Sequence, residues 1–448
     1  MNLHWRKMKM KKVVKFGGSS LASAAQFKKV GDIIRKDPSR RYVVPSAPGK
    51  RFKDDTKVTD MLYGCYAAAV KEKKFTEQLE QIKERYQEII DGLGLDFSLD
   101  EDFDTIRVDF SKKIGRDYAA SRGEYLNGKV MAAYLGFDFV DAAEVIRFND
   151  DGSFNSEVTN ELLSARLSTL EHAVIPGFYG AKEDGTVVTF SRGGSDVSGS
   201  LVALAVNADL YENWTDVSGF LIADPRIVKK PKSIETITYK ELRELSYMGA
   251  SVLHEDAIFP VRKAGIPINI RNTNAPQDKG TLIVEGTCRQ SKYTITGIAG
   301  TDGFVAITIE KAMMNSEIGF CRKVLQVFED NEVSIEHMPS GIDTMSIFVH
   351  KDVFEEKEQK ILADIHKAVN PDHIELESDL ALIAIVGRGM KSTRGTAGRI
   401  FSALAHAHIN VKMIDQGSSE LNIIVGVRHD DFKNAIRALY EIFVVTQI

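Results

Sequence analysis

"KFGGSS" runs from Lys15 to Ser20, between the β-branched pair Val13-Val14 and the helix-forming stretch "LASAAQFKKVGDIIRK". A strand-like run that ends in a lysine, crosses two glycines and two serines and opens at once into a helix is a strand-to-helix turn of an α/β protein. Such a turn needs one glycine, so the second glycine and the lysine need a further reason. Glycines let backbone N–H groups approach an anion, the following helix offers its positive end, and the lysine adds a mobile charge. The combination suits the terminal phosphates of a nucleotide. The alternative is a lysine that merely flanks a glycine turn. The order is not that of a Walker A loop, where lysine follows the glycines, nor that of the dinucleotide fingerprint.

Working outward, short apolar runs alternate with longer helical patterns from Val13 to about Glu285. "RRYVVPSAPG", "HAVIPGFYG", "TVVTFS", "IPINIRNT" and "GTLIVEG" read as strands. Phe27, Val30, Ile33 and Ile34 share one helical face, and "FTEQLEQIKERYQEIIDGLG" is a charged helix stopped by glycine. After Cys288 the rhythm changes. "FVAITIE" and "GFCRKVLQVFEDNEVSIEHMPSGIDTMSIFVH" read strand, helix, strand, turn, strand, and "LIAIVG" with "TAGRIFSALAHAHINVKMIDQGSSELNIIVGV" reads the same way. With Gly341 set on Gly417, Val324 falls on Ile400, Ile335 on Val411 and Val349 on Val425, which predicts a tandem repeat of one small βαβ-type unit. "GTCRQSKYT" is the expected join.

The 448 residues suit two or three domains, and 43% hydrophobic with 27% charged residues is ordinary for a globular chain. A formal net charge of −5 without a basic stripe argues against nucleic acid as the main partner. Cys65, Cys288 and Cys321 lie far apart, which fits a reducing compartment and excludes a disulfide framework or a cysteine-rich zinc site. "MNLHWRKMKMKK" is basic, but the apolar run after it is too short for a signal peptide or membrane span, so the expectation is a cytoplasmic chain without a membrane partner.

Three further stretches carry candidate chemistry. In "TFSRGGSDVSGSLVALAVNA" a strand again runs through glycines into a helix. Arg192 can grip a carboxylate bidentately. Asp196 can face Lys15 or cap the helix. Two such loops at strand C-termini would meet in one crevice. In "AASRGEYLNGKVMAAYL", Glu124 is available to a substrate ammonium, or serves the helix dipole as a first-turn acid. In "WTDVSGFLIADPR", Thr215 and Asp216 close a strand where ribose or base could bind, and Asp224-Pro225 makes a turn.

Taken in order, "KFGGSS", "SRGE", "SRGGSD", "TDV-G---ADPR" and "MGASVLH" resemble the aspartokinases of the amino-acid kinase superfamily, and the tandem repeat resembles their paired ACT domains. The resemblance covers nearly the whole chain after Lys11. It implies a three-layer αβα amino-acid-kinase sandwich over 11–286, followed by two ferredoxin-like ACT (βαββαβ) domains over 293–370 and 377–448. It implies transfer of a phosphoryl group from ATP to the side-chain carboxylate of L-aspartate, as the first step toward lysine, threonine and methionine. By family pattern Lys15 acts on the moving phosphoryl group with the amides of Gly17 and Gly18, Ser19 lies in the same loop, and Asp196 organises Lys15. Arg192 holds the substrate α-carboxylate, Glu124 its ammonium, and Thr59 and Ser195 lie beside the substrate. Thr215, Asp216, Asp224 and Arg226 fall in the nucleotide segment. Mg²⁺ bridges phosphate oxygens, with no protein metal cage. A carboxylate nucleophile is already ionised at pH 7, so positioning and charge neutralisation carry the rate.

The chain departs from the family pattern at Ser251, Leu221 and Ser218, where lysine, tyrosine and aspartate are common. Lys229, Lys230 or Lys232 is available to replace the missing charge. His254 reads as structural, because the reaction needs no base. In the first ACT copy, Met314, Ser316, Gly319 and Phe320 approximate the family's effector segment, with Glu336, Pro339, Ser340 and Gly341 at the facing strand and turn. An acid at 336 favours L-lysine as effector, ahead of threonine, unless Glu336 is a solvated strand residue. Pairing of ACT domains implies a homodimer or homotetramer. The rival readings are another amino-acid kinase and a non-catalytic amino-acid sensor.

Overall fold

A computed structural model describes residues 10–191, 193–250, 255–287 and 293–446. The described residues form two compact units. One holds those of Met1–Phe220, Glu235–Tyr239 and Val252–Thr287; the other holds those of Leu221–Ile234, Lys240–Ser251 and Cys288–Ile448.

The first unit is built on β1 (Lys12–Phe16), β2 (Arg40–Pro45), β3 (Asp138–Phe139), β4 (Ala173–Val174), β7 (Leu210–Thr215), β8 (Thr236–Thr238), β9 (Ile268–Asn272) and β10 (Thr281–Val284), with β5 (Tyr179–Ala181) and β6 (Val187–Thr189) as a separate pair. The eight-stranded sheet runs β3-β4-β2-β1-β7-β9-β10-β8, parallel except for β9 against β10. β1 is central, flanked by β2 and β7. Val13, Val14 and Phe16 are wholly buried, as a parallel strand covered on both faces must be. Val14 and Phe16 pack with Phe27, Val30, Ile33 and Ile34 of the Ala24–Arg35 helix, while the Gly194–Ala205 helix covers the other face. This is the expected αβα sandwich.

The second unit carries β11 (Gly297–Glu310), β12 (Thr344–His350), β13 (His373–Val386), β14 (Met413–Asp415) and β15 (Asn422–Arg428) in one antiparallel sheet of order β12-β11-β13-β15-β14. The repeat is visible in detail. Each copy's first helix, Phe320–Asp330 and Thr396–His406, starts from a left-handed glycine, Gly319 at φ +81° and Gly395 at φ +79°. Val324 and Ile400 are fully buried at matching positions, as are Val349 and Val425. The copies share their two long strands. Gly297–Asp302 pairs with the second half of β13 and completes the second copy's sheet, although it precedes the first copy. The register shifts between Asp302 and Phe304, where Gly303 sits at φ +86°.

One expected strand is absent. "NEVSIEHMPS" makes only isolated bridges, His337 to Phe348 and Ser340 to Met345. Pro339 has no N–H to give a ladder, and this segment is an edge.

Candidate active site

β1 ends at Phe16 and delivers Lys15 to the carboxyl end of the sheet. Its Nζ lies 2.7 Å from Asp196 Oδ1. Asp196 sits in the first turn of the Gly194–Ala205 helix, whose cap is Gly193 at φ +57° with no side-chain cap. The capping reading of Asp196 is thereby replaced by an ion pair. Asn213, opposite Lys15 in β7, donates from Nδ2 to the same Asp196 oxygen at 2.7 Å. The two donors fix the carboxylate, and the carboxylate fixes the ammonium. Asn213 was not singled out from sequence; a lone Asn inside the buried run "LYENWT" is the signal that could have found it.

The two glycines have different duties. A Cβ on Gly17 would lie in ordinary contact with the Trp214 carbonyl oxygen at 3.7 Å and Lys15 Nζ at 3.8 Å, so packing alone does not demand this glycine. Its amide, expected to face phosphate, instead donates to the Trp214 carbonyl at 3.0 Å. That backbone bond ties the loop to β7 and takes Gly17's N–H out of the anion site. The amides of Gly18 and Ser19 open a 3₁₀ turn and have no partner among the described residues. A Cβ on Gly18 would meet the Ala47 carbonyl oxygen at 2.7 Å and the Gly49 nitrogen at 3.1 Å, and Gly49 N–H donates to the Gly18 carbonyl at 2.8 Å. The second glycine is therefore required by a backbone crossing. Gly18→Ala must push two backbones apart, and we expect it to cost about 1–3 kcal/mol of stability and to lower kcat. Thermal melting and steady-state rates check this.

The crossing segment also reaches Glu124. The Ala47 amide lies close enough to the Glu124 carboxyl to favour its ionised form, and a Cβ on Gly123 would meet Ala47 Cβ at 2.8 Å and Thr59 Oγ1 at 3.7 Å. The expectation of a first-turn acid is corrected here. The helix spans Arg116–Leu135, so Glu124 lies in its third turn, and the glycine of "SRGE" is a packing position rather than a helix start. Glu124 is 5% exposed, and its Oε2 is buried without a partner. Burial pushes its carboxyl up to about 8, against the pull of the Ala47 amide. A buried, orphaned carboxylate oxygen is costly unless a ligand completes it.

Ser195 packs against Gly177, where a Cβ would come within 2.8 Å of the Ser195 hydroxyl. Thr215 Oγ1 donates to Asp216 Oδ1 at 3.1 Å, at the exposed end of β7. Ser218 donates to Asp278 at 2.6 Å, so an acid stands beside the position where the family commonly has one. Arg192, Ser251 and His254 lie outside the described residues. Asp224 and Arg226 belong to the second unit and pair with each other, Nη2 to Oδ2 at 2.7 Å, which holds the Asp224 carboxyl below its ordinary value. There too the Lys232 ammonium reaches the Val444 carbonyl at 3.4 Å and lies over the Tyr293 ring.

In the second unit, Met314 and Phe320 are buried in the first repeat's core, and Gly341 N–H closes a turn on the Thr344 carbonyl at 2.7 Å. Ser316 N–H donates to Met313 O, and Ser340 bridges Met345. Glu336 is not a solvated strand residue. Its side chain is 9% exposed, and its Oε2 accepts from the Tyr247 hydroxyl of the Tyr239–Tyr247 helix.

An αβα sandwich with a strand-end lysine held by an acid at the carboxyl end of its sheet is the architecture of an amino-acid kinase, a class of phosphotransferase. A model of the Amino acid kinase family matches residues 10–272, and one of the ACT domain matches 383–443. The chain belongs to the aspartokinases of that family. It is 41% identical over 451 residues to Aspartokinase 3 of Bacillus subtilis, covering 96% of this chain and 98% of that one. The crystal structure of Clostridium acetobutylicum aspartate kinase superposes with a TM-score of 0.89 at 52% identity, over 96% of this chain and 99% of that one. E. coli aspartokinase III, in complex with lysine and aspartate, has a TM-score of 0.71 at 24% identity over 96% and 99%, a likeness of fold.

Proposed function

We propose that this aspartokinase moves the γ-phosphoryl group of ATP to the β-carboxylate of L-aspartate through the Lys15–Asp196 centre. The observation that carries the amino-acid reading is the unpartnered, buried Oε2 of Glu124, which an α-ammonium would complete. A β-carboxylate oxygen attacks the γ-phosphorus, the bond to the β–γ bridging oxygen breaks, and its electrons leave with ADP. The acyl phosphate keeps the attacking oxygen. No proton moves, so no base is required. Lys15 neutralises charge on the transferring oxygens, and the amides of Gly18 and Ser19 add donors. Arg192 receives the α-carboxylate, Thr59 and Ser195 flank the reacting group, and Thr215 and Asp216 face the nucleotide. Mg²⁺ would enter with ATP, bound mainly through phosphate oxygens, and would neutralise charge on them. An ADP-release assay tests the reading. L-aspartate supports turnover and N-acetyl-aspartate, which lacks the ammonium, does not; equal rates would contradict it.

The effector is proposed to be L-lysine in the first repeat, among Met314, Ser316, Gly319, Phe320, Glu336, Ser340 and Gly341. What supports it is sign: at the position matching Glu336 the second repeat has Lys412, paired with Glu377 at 2.5 Å, so at that position the first copy offers an acid to a cation and the second a base. The Tyr247 hydroxyl competes for that acid. Tyr247→Phe is expected to tighten lysine inhibition about fivefold, the worth of one hydrogen bond near 1 kcal/mol, read as a lower half-inhibitory concentration. Exposed Met313, Ile318 and Ile342 around the same loop support pairing of ACT domains in a homodimer or homotetramer. Among the described residues no helix is long and apolar enough to cross a membrane, and a cytoplasmic location is proposed.

A further inference from the structure

The sheet of the first unit has a second concavity, on the face opposite Lys15. Side chains alternate along a strand. Lys15 and Asn213 face Asp196, so Glu212 and Trp214 face the other way. There, beside the Ala24–Arg35 helix, lies a cavity of about 690 Å³. Its lining carries four cations, Lys29, Lys36, Arg40 and Arg271, against two acids, Asp32 and Asp37.

Most of the buried charge there is balanced. Glu212 takes Arg40 at 2.7 Å and Lys12 at 3.4 Å, and Lys12 takes Asp37 at 2.7 Å. Arg271 is left over. Its guanidinium lies 4.6 Å from the Trp214 ring centroid, its Nη2 donates to the carbonyls of Pro276 and Asp278, and its Nε has no partner. Among the described residues neither Arg271 nor the exposed Lys36 has a carboxylate within ion-pair distance. The remaining walls, Ile33, Pro38 and Pro276, are apolar. A surplus cation beside apolar walls matches an anion with a hydrocarbon body; a bare phosphate would lose water there for too few donors.

We propose that this cavity binds a small organic acid, its carboxylate between Arg271 and Lys36 and its hydrocarbon body against Ile33, Pro38 and Pro276, and that occupancy is felt at the phosphate loop. The link is short. Trp214, the cavity floor, holds the Gly17 amide on its carbonyl at 3.0 Å. Thr273, a cavity wall, shares a 2.8 Å hydrogen bond with the Ser20 hydroxyl and donates its N–H to the Thr215 carbonyl at 2.9 Å. A ligand that shifts this floor changes affinity for ATP, and ATP changes affinity for the ligand by the same factor.

The chain has two tryptophans, Trp5 and Trp214, so Trp5→Phe leaves Trp214 as the sole indole reporter. The full chain carrying that change is titrated with butyrate and benzoate, and separately with inorganic phosphate. The expected result is a saturable change in Trp214 emission with a carboxylate and none with phosphate. Lys36→Glu, at an exposed position, weakens it by about tenfold, the scale of one charge-assisted contact, and a saturating carboxylate shifts the KM for ATP. No saturable change with either carboxylate, equal binding by Lys36→Glu, saturation by phosphate alone, or an unmoved KM for ATP would overturn the proposal.

Discussion

Lys15→Ala is expected to lower kcat by about 10³–10⁵, the range seen when a cation that meets transferring phosphoryl charge is removed. KM for ATP should move much less, because the interaction strengthens as charge develops in the transition state. Folding should survive. The Lys15 side chain is only 10% exposed and pairs with Asp196, but Asn213 still donates to that carboxylate when the lysine is gone. Asp196→Asn frees Lys15 from its anchor and should produce a smaller loss, since the cation remains but is no longer fixed. A melting curve within a few degrees of the parent, beside a lost turnover, is the pattern that separates chemistry from unfolding. Turnover within tenfold of the parent in Lys15→Ala would remove the lysine from the mechanism.

Glu124→Gln carries the second large effect, and it acts on substrate binding, on pH dependence and on stability. With its carboxyl pushed up to about 8 by burial, ligand-free Glu124 is mostly neutral at pH 7, and an ammonium calls for the ionised form. KM for aspartate should therefore fall about fivefold between pH 7 and pH 8, as the competent fraction rises. The glutamine variant should lose that dependence and bind aspartate about 10–100-fold more weakly. The stability effect has the opposite sense. The folded value lies above that of an unfolded carboxyl, so the neutral form is the one the fold favours. That contribution is complete below about pH 4.5 and is lost as pH rises through about 8. Glu124→Gln has no such loss and should be the more stable protein at pH 8, by an amount on the order of a few kcal/mol. Denaturant titrations at pH 5 and pH 8 check this. A site residue whose removal stabilises the fold is one held for a ligand.

Much of this was legible in the sequence, because it is local. "KFGGSS" follows buried β-branched residues and precedes a helix, so chain order alone places Lys15 at the carboxyl end of a strand. The repeat was legible because both copies keep the same apolar spacing, and the matched left-handed Gly319 and Gly395 show that the turn chemistry repeats with it. What sequence misplaced depends on contacts distant along the chain. Gly18 is a glycine because the Ala47–Gly49 backbone crosses it, and nothing near residue 18 announces residue 47. Gly17 gives its amide to Trp214 of the neighbouring strand β7, some two hundred residues along the chain. Glu124 reads equally as a first-turn acid from its local sequence, yet the helix begins at Arg116, and Gly123 within it makes room for Ala47. The strand that completes the second repeat, Gly297–Asp302, stands before the first, an exchange that no repeat alignment contains. The missing strand at Glu336 follows from Pro339 on an edge, where apolar alternation survives without a ladder.

The most direct test of the central claim follows one oxygen. The enzyme is given MgATP, hydroxylamine and L-aspartate labelled with ¹⁸O in its β-carboxylate. Direct attack on the γ-phosphorus predicts aspartyl β-hydroxamate and, released with it, inorganic phosphate that carries one ¹⁸O. Hydroxamate formation should fall on addition of L-lysine. Unlabelled phosphate, or ADP formed without hydroxamate, would mean that the β-carboxylate is not the acceptor and would contradict the account.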